Sequence, residues 1–257
     1  MANIKDSEAS ARGFAENWDK EVRELWPEAY PESLSSELKK LNVSTILDCA
    51  GGTGYPSIEL KNIGWDITYS DGWDTMLHFF KQRIDKAELD IPTYKSRWET
   101  LTQVVPNTYD ALLCAGNSFV GINSYDIEYS IDGADAKQQM RIALREFYNM
   151  LNDGGVLYID LFTKKHSAPE QPYSQSQTTD THHIFTTISY DPVRNVRTNL
   201  TTNTSLIDGS EQDMITKVTP IFAEELIALL QETGFSRIER SPVDDTDYVD
   251  SFFVFKD

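Results

Sequence analysis

The sequence predicts an α/β fold: a mostly parallel, seven-stranded sheet with helices on both faces, an N-terminal helical lid and an antiparallel β-extension. Three observations predict it. Short apolar runs alternate with helical stretches between residues 44 and 165, which implies parallel strands joined by helical crossovers. The first strand runs into a glycine turn, LDCAGGTGYP, at residues 47–56. Residues 166–219 then change texture, becoming rich in Ser, Thr, Gln and Asn with partial alternation.

Residues 7–41 read as helical and charged, with Phe14, Trp18, Val22, Leu25 and Trp26 forming one apolar stripe. The two prolines of WPEAYPES interrupt it, and LSSELKKLN resumes it. STILDCA is the first strand, and PSIELKNIG is a helix with proline in its first turn and Gly64 at its end. WDITYSD is a strand, WDTMLHFFKQRIDKAEL a helix, IPTYKSRW a third strand and YDALLCAG a fourth. DAKQQMRIALREFYNMLNDGG is a long helix before the fifth strand, GVLYIDLF. In the extension, HHIFTTISYD, NVRTNLTTNTSLI and DMITKVTP are separated by the turn signals YDP and DGS. PIFAEELIALLQETGF is an amphipathic helix, and SRIERSPV with DYVDSFFVFKD forms a hairpin at the sheet edge. The chain thus divides into a lid (1–43), a ligand-binding core (44–165), a β-rich cover (166–219) and a C-terminal helix with edge strands (220–257).

Composition narrows the function. Lys and Arg total 23 against 41 Asp and Glu, a formal charge of −18, which disfavours nucleic acid and anionic membranes as partners. There is no long apolar run, and the polar N-terminus lacks a secretion signal, so a cytoplasmic protein is expected. Cys49 and Cys114 are too few for a disulfide framework, and no zinc-site spacing occurs, so no metal is expected. Homo-oligomerisation is compatible with the sequence.

In open α/β sheets ligands sit beyond the carboxyl ends of the strands, where Asp48, Asp71, Trp98, Asn117 and Asp160 fall. The glycine turn is a near miss to the dinucleotide fingerprint, with Gly52 and Gly54 followed by Ser57. Charge separates the options. A pyrophosphate is repelled by a carboxylate such as Asp48, whereas an ammonium and a sulfonium are attracted to one, and glycines let the backbone approach closely. S-adenosyl-L-methionine is such a ligand. Asp71, 17 residues beyond Gly54, stands where a carboxylate accepts two ribose hydroxyl protons. Capping is the competing role for both acids.

TILDCAGGTG, DITYSDGWDTML and GGVLYID resemble the class I S-adenosylmethionine-dependent methyltransferases, with a Rossmann-like fold. SRWETL, YDALLCAGNSFVGI and RIALREFYNMLNDGGVLYID resemble, more narrowly, the glycine and glycine/sarcosine N-methyltransferases. The resemblance implies that Asp48, Ala50, Gly52 and Gly54 line the methionine moiety of the cofactor. It implies that Asp71 holds the ribose, with Gly72 and Trp73 continuing that turn and Met76 against the adenine. Trp98 would lie near the adenine's edge, Arg97 replaces the family's Asn, and Ala115 would touch the cofactor through its backbone. Asn117 and Ser118 would face the acceptor as the catalytic pair.

The likeness breaks at strand five. The family's IDHRNYD carries an arginine that clamps the substrate carboxylate; here IDLFTKKHS places Phe162 at that position. Lys164 or Lys165 offers a point charge, and Tyr173, Tyr190 and Tyr248 are available for an acceptor pocket. His78, His166, His182 and His183 are left outside the site. The expected activity is methyl transfer to a small-molecule acceptor, an amine in an amino-acid-like or natural-product setting, and not glycine itself. The alternatives are an enzyme consuming S-adenosylmethionine by cyclisation or elimination, and a non-catalytic cofactor-binding protein or dehydrogenase.

Overall fold

The computed structural model describes residues 26–122, 133–243 and 247–257, together with residues 13, 15, 18, 19 and 22. Phe14 and Leu25 of the predicted N-terminal stripe lie outside the described residues. Helix α1 (Tyr30–Lys40) starts with Pro31 in its first turn. The second proline therefore opens this helix, where a missing N–H costs nothing, rather than breaking it.

The core follows the predicted alternation: β1 (Thr45–Asp48), α2 (Ser57–Ile63), β2 (Asp66–Asp71), α3 (Asp74–Lys86) and β3 (Thr93–Lys95). A 3₁₀ turn (Trp98–Thr100) and the short α4 (Leu101–Val104), neither foreseen in the sequence, lead to β4 (Tyr109–Cys114). Helix α5 (Gly133–Met150) returns the chain to β5 (Leu151–Phe162), followed by the single turn α6 (Lys164–Ser167). Next come β6 (Tyr173–Thr178), β7 (His182–Asp191), β8 (Val196–Ser205) and β9 (Glu211–Val218), then α7 (Ala223–Thr233), β10 (Arg237–Arg240) and β11 (Val249–Phe255).

The main sheet has the order β10-β11-β5-β4-β1-β2-β3. Strands β3, β2, β1, β4 and β5 are parallel; β11 joins β5 antiparallel and β10 closes the edge antiparallel to β11. The chain leaves β1 toward β2 on one side and later returns through β4 on the other, so the order reverses between β1 and β4. A crevice opens there at the carboxyl ends of the strands.

Alternating strand residues feed two apolar layers. Leu47, Leu112, Leu157 and Ile159 meet Met140, Leu144 and Phe147 of α5 and Leu226 and Leu230 of α7. Ile46, Ile67, Leu113 and Tyr158 meet Leu34, Leu60 and Phe80 of α1, α2 and α3. Fully burying each such side chain is worth about 1.5–3 kcal/mol, which is why these strands read as near-continuous apolar runs.

The extension is an ordered four-stranded antiparallel sheet, β6-β7-β8-β9. One face is buried, with Ile184, Ile188, Arg197, Thr201 and Asn203 nearly inaccessible, while Phe185, Leu200 and Ile215 on the other are exposed. No helix among the described residues is long and apolar enough to cross a membrane. No cluster of metal-ligating side chains occurs among them.

Candidate functional site

Three loops converge at the crevice: the glycine turn after β1, the turn after β2 and the turn after β4. Gly52 has φ +53° and Gly54 φ +110°, values that glycine adopts without a steric penalty. A Cβ on Gly51 would stand 2.2 Å from the Tyr69 ring, so only glycine lets the loop lie on that ring. Tyr69 stacks on Phe80 and donates its hydroxyl to the Gly52 carbonyl at 2.6 Å.

The two acids tie these loops together. Asp48 accepts from the Ala50 amide at 3.1 Å and from the Ser57 hydroxyl at 2.6 Å. Asp48 is 1% exposed, so its carboxyl backs the glycine turn from inside. Asp71 accepts from the Gly52 amide at 2.9 Å and the Trp73 amide at 2.8 Å, joining the first loop to the second. Burial pushes the Asp48 carboxyl up to about 7, against the opposing bonds from Ser57 and Ala50. Burial likewise lifts Asp71 to about 6, against the bonds from Trp73, Gly52 and Gly72. Two carboxyl groups held this high respond to a nearby cation by releasing protons.

The third loop is pinned by Asp160 at the end of β5, whose carboxylate accepts from the Gly116 amide at 3.0 Å and the Asn117 amide at 2.6 Å. Asn117 sits in the left-handed region at φ +56°, which asparagine tolerates better than most residues. Its Oδ1 accepts the Phe162 amide at 3.0 Å, so this oxygen already holds the ends of β4 and β5 together. Ser118 donates its hydroxyl to the Ala115 carbonyl at 2.7 Å.

The crevice thus gathers Asp48, Ala50, Gly52, Gly54, Asp71, Gly72, Trp73, Ala115, Asn117 and Ser118 of the predicted residues. Met76 is buried in the first turns of α3, close behind Trp73. Arg97 is exposed and faces Glu99 at 3.7 Å. Trp98 lies in the core rather than on the rim: it is 2% exposed, packs against Phe119 and Phe147, and donates its indole N–H to the Cys49 carbonyl at 2.6 Å. Its contribution is to fix the strand-end backbone from below.

Two features add to the predicted residues. Trp18, of the segment expected to form a lid, lies over the crevice: a Cβ on Gly52 would stand 3.1 Å from its Nε1, and one on Gly116 3.0 Å from its Cζ2. The neighbouring Asp19 accepts from Thr53 of the glycine turn at 2.7 Å and pairs with Arg83 of α3. The other feature is Arg197 of β8, buried against Phe162 at the end of β5. The stripe of apolar residues marked Trp18 as helical, but no local signal marks the buried arginine.

Comparison with known proteins is consistent with this geometry. Residues 47–159 match the family model described as a methyltransferase domain. A glycine/sarcosine N-methyltransferase of Halorhodospira halochloris is 31% identical over 149 residues, covering 58% of this chain and 51% of that protein. The chain spans about half the length of the curated relatives it matches. An S-adenosylmethionine-dependent methyltransferase from Clostridium acetobutylicum superposes with a TM-score of 0.74 at 14% identity, covering 95% of this chain and 98% of that one. A sugar N-methyltransferase from Streptoalloteichus gives 0.70 at 15% identity, covering 93% and 92%. At these identities the structural likenesses establish the fold alone.

Proposed function

Residues 47–159 being a class I S-adenosylmethionine-dependent methyltransferase domain that resembles the glycine N-methyltransferases, we propose that this chain methylates a small-molecule amine. The observation that carries the reading is the bond from the Gly52 amide to Asp71, with Asp48 buried behind the same turn. It sets two carboxylates and a close-approaching backbone at the switch point of the sheet, a composition suited to a cationic ligand and hostile to a diphosphate.

S-adenosylmethionine is the cofactor, and it supplies an activated methyl group on a sulfonium. Gly52 and Gly54 leave room for the methionine portion, backed by Asp48. Asp71 accepts the ribose hydroxyls, at the cost of loosening its present bonds to Gly52 and Trp73. Trp18, beside the Asp19 that bonds Thr53 and pairs with Arg83, excludes water, so the reacting groups meet in a dry, aligned state; such positioning is worth up to roughly 7–11 kcal/mol. Asn117 stands on the acceptor side, its carboxamide fixed by Phe162 and therefore pre-oriented. An amine must reach this site neutral, and no described side chain is committed as its base.

The curated relatives' names join glycine and sarcosine to N-methylation. Phe162 in place of the family's arginine argues for a different acceptor here, held by a rebuilt pocket. The test is a screen of primary and secondary amines and amino acids for S-adenosylhomocysteine release. Turnover of at least one amine, abolished without S-adenosylmethionine, is the expected result. Release of methylthioadenosine instead would overturn methyl transfer.

A further inference from the structure

Arg197 is 5% exposed, yet its guanidinium Nε has no hydrogen-bond partner and no carboxylate pairs with it among the described residues. It lies on the inward face of β8 with Thr201 and Asn203, both buried, whereas Leu200 on the opposite face is exposed. The guanidinium carbon stands 5.4 Å from the centre of the Phe162 ring. Phe162 in turn is bonded through its amide to Asn117, so this arginine adjoins the acceptor side of the crevice. Tyr248 packs on Phe162 at 4.9 Å and on His166 at 4.1 Å. Tyr173 and Tyr248 are close enough to act on the charge of Arg197, which in turn acts on His166.

A buried cation without a counter-charge is costly, and arginine does not escape the cost by losing its proton. The chain has 41 acidic residues available, but none of those described is placed beside this one. Among the described residues nothing supplies that charge, and an anionic ligand is the partner such a side chain suits. A planar carboxylate is the anion that a guanidinium fork receives through two parallel bonds, and the Phe162 ring lies 5.4 Å from the guanidinium carbon.

We propose that Arg197 binds a carboxylate of the methyl acceptor, so that the acceptor is an amine that also carries an acid group. The charge is delivered from the β-extension, across the Phe162 ring, rather than from the end of β5. This deepens the methyltransferase reading and rests on it only for the identity of the reaction; the anion site itself is testable without turnover.

The experiment uses the full chain with saturating S-adenosylhomocysteine and titrates acetate and benzoate against acetamide and benzamide, their uncharged counterparts. Expected is at least tenfold tighter binding of each acid than of its amide. In Arg197→Met the preference falls below twofold, in Arg197→Lys it is intermediate, and affinity for S-adenosylhomocysteine stays within twofold of wild type in both. The ligand-free melting temperature of Arg197→Met is unchanged or higher, because an unpaired buried charge has been removed; an arginine with a merely structural role would lower it. Acids and amides binding alike, a preference that survives in Arg197→Met, or a Met variant that fails to fold would each overturn the proposal. So would a matching loss of cofactor affinity, which would give the anion to the cofactor's own carboxylate. Arg197-dependent acid binding in a chain that methylates no amine would leave this site standing and refute the reaction.

Discussion

The Gly52 amide donates to the Asp71 carboxylate across 2.9 Å, joining the loop after β1 to the end of β2. The same carboxylate accepts from Trp73, so one side chain sets the spacing of two loops that flank the crevice.

Asp71→Ala removes both bonds and the proposed acceptor for the ribose. Hydrogen bonds to charged groups are worth about 1.5–3 kcal/mol, so S-adenosylmethionine affinity is expected to fall at least tenfold. Isothermal calorimetry measures it, and unchanged affinity would take Asp71 out of the cofactor site.

The raised carboxyls give a pH signature. Asp48 at about 7 and Asp71 at about 6 lie above the value near 3.9 of an unfolded chain. Between about pH 4 and pH 7 the native state therefore binds more protons than the unfolded state, and stability falls as pH rises through that window. Asp48→Asn removes its share, so the cofactor-free melting temperature should decline less steeply between about pH 5.5 and 8 than in wild type. Equal slopes would contradict the assignment.

A sulfonium and an ammonium brought near these groups favour their ionised forms. S-adenosylmethionine binding near pH 6.5 is expected to release protons, and S-adenosylhomocysteine, which lacks the sulfonium, to release fewer. Titrations in buffers of different ionisation enthalpy read the difference; identical release from both ligands would count against a charge-selected site.

Gly54 combines φ +110° with a Cβ position 2.7 Å from Phe80 and 2.8 Å from Ile58. Gly54→Ala should lose about 1–3 kcal/mol from backbone strain alone, with side-chain collision adding to it. Thermal or urea unfolding checks it. Gly64→Ala is the control: it shares a similar φ, +108°, with no neighbour near the added methyl, and should cost less.

Asn117→Ala is expected to lower turnover while leaving cofactor affinity within a few-fold, because its carboxamide holds Phe162 on the proposed acceptor side. Steady-state kinetics with calorimetry separates the two effects. A fully active variant would move the acceptor elsewhere.

Much of this architecture was legible in the sequence because the core strands are buried on both faces and the helices between them are amphipathic. LDCAGGTG and WDITYSD state the glycine turn and the second acid outright. The rest depends on long-range packing. Trp98 follows a strand as a rim residue would, but Phe119 and Phe147 draw it into the core. Asp48 reads as a ligand-facing acid or a cap of the following turn, and only the fold brings the Ser57 hydroxyl of the next helix to its second oxygen. Arg197 sits in a polar strand that reads as solvated, and only the pairing of β8 within its sheet turns the side chain inward against Phe162.

Calorimetric titration of the purified chain with S-adenosylmethionine and, separately, with NAD tests the cofactor assignment most directly. One saturating site for S-adenosylmethionine and no heat from NAD is the predicted outcome. Saturable NAD binding with none for S-adenosylmethionine would contradict it.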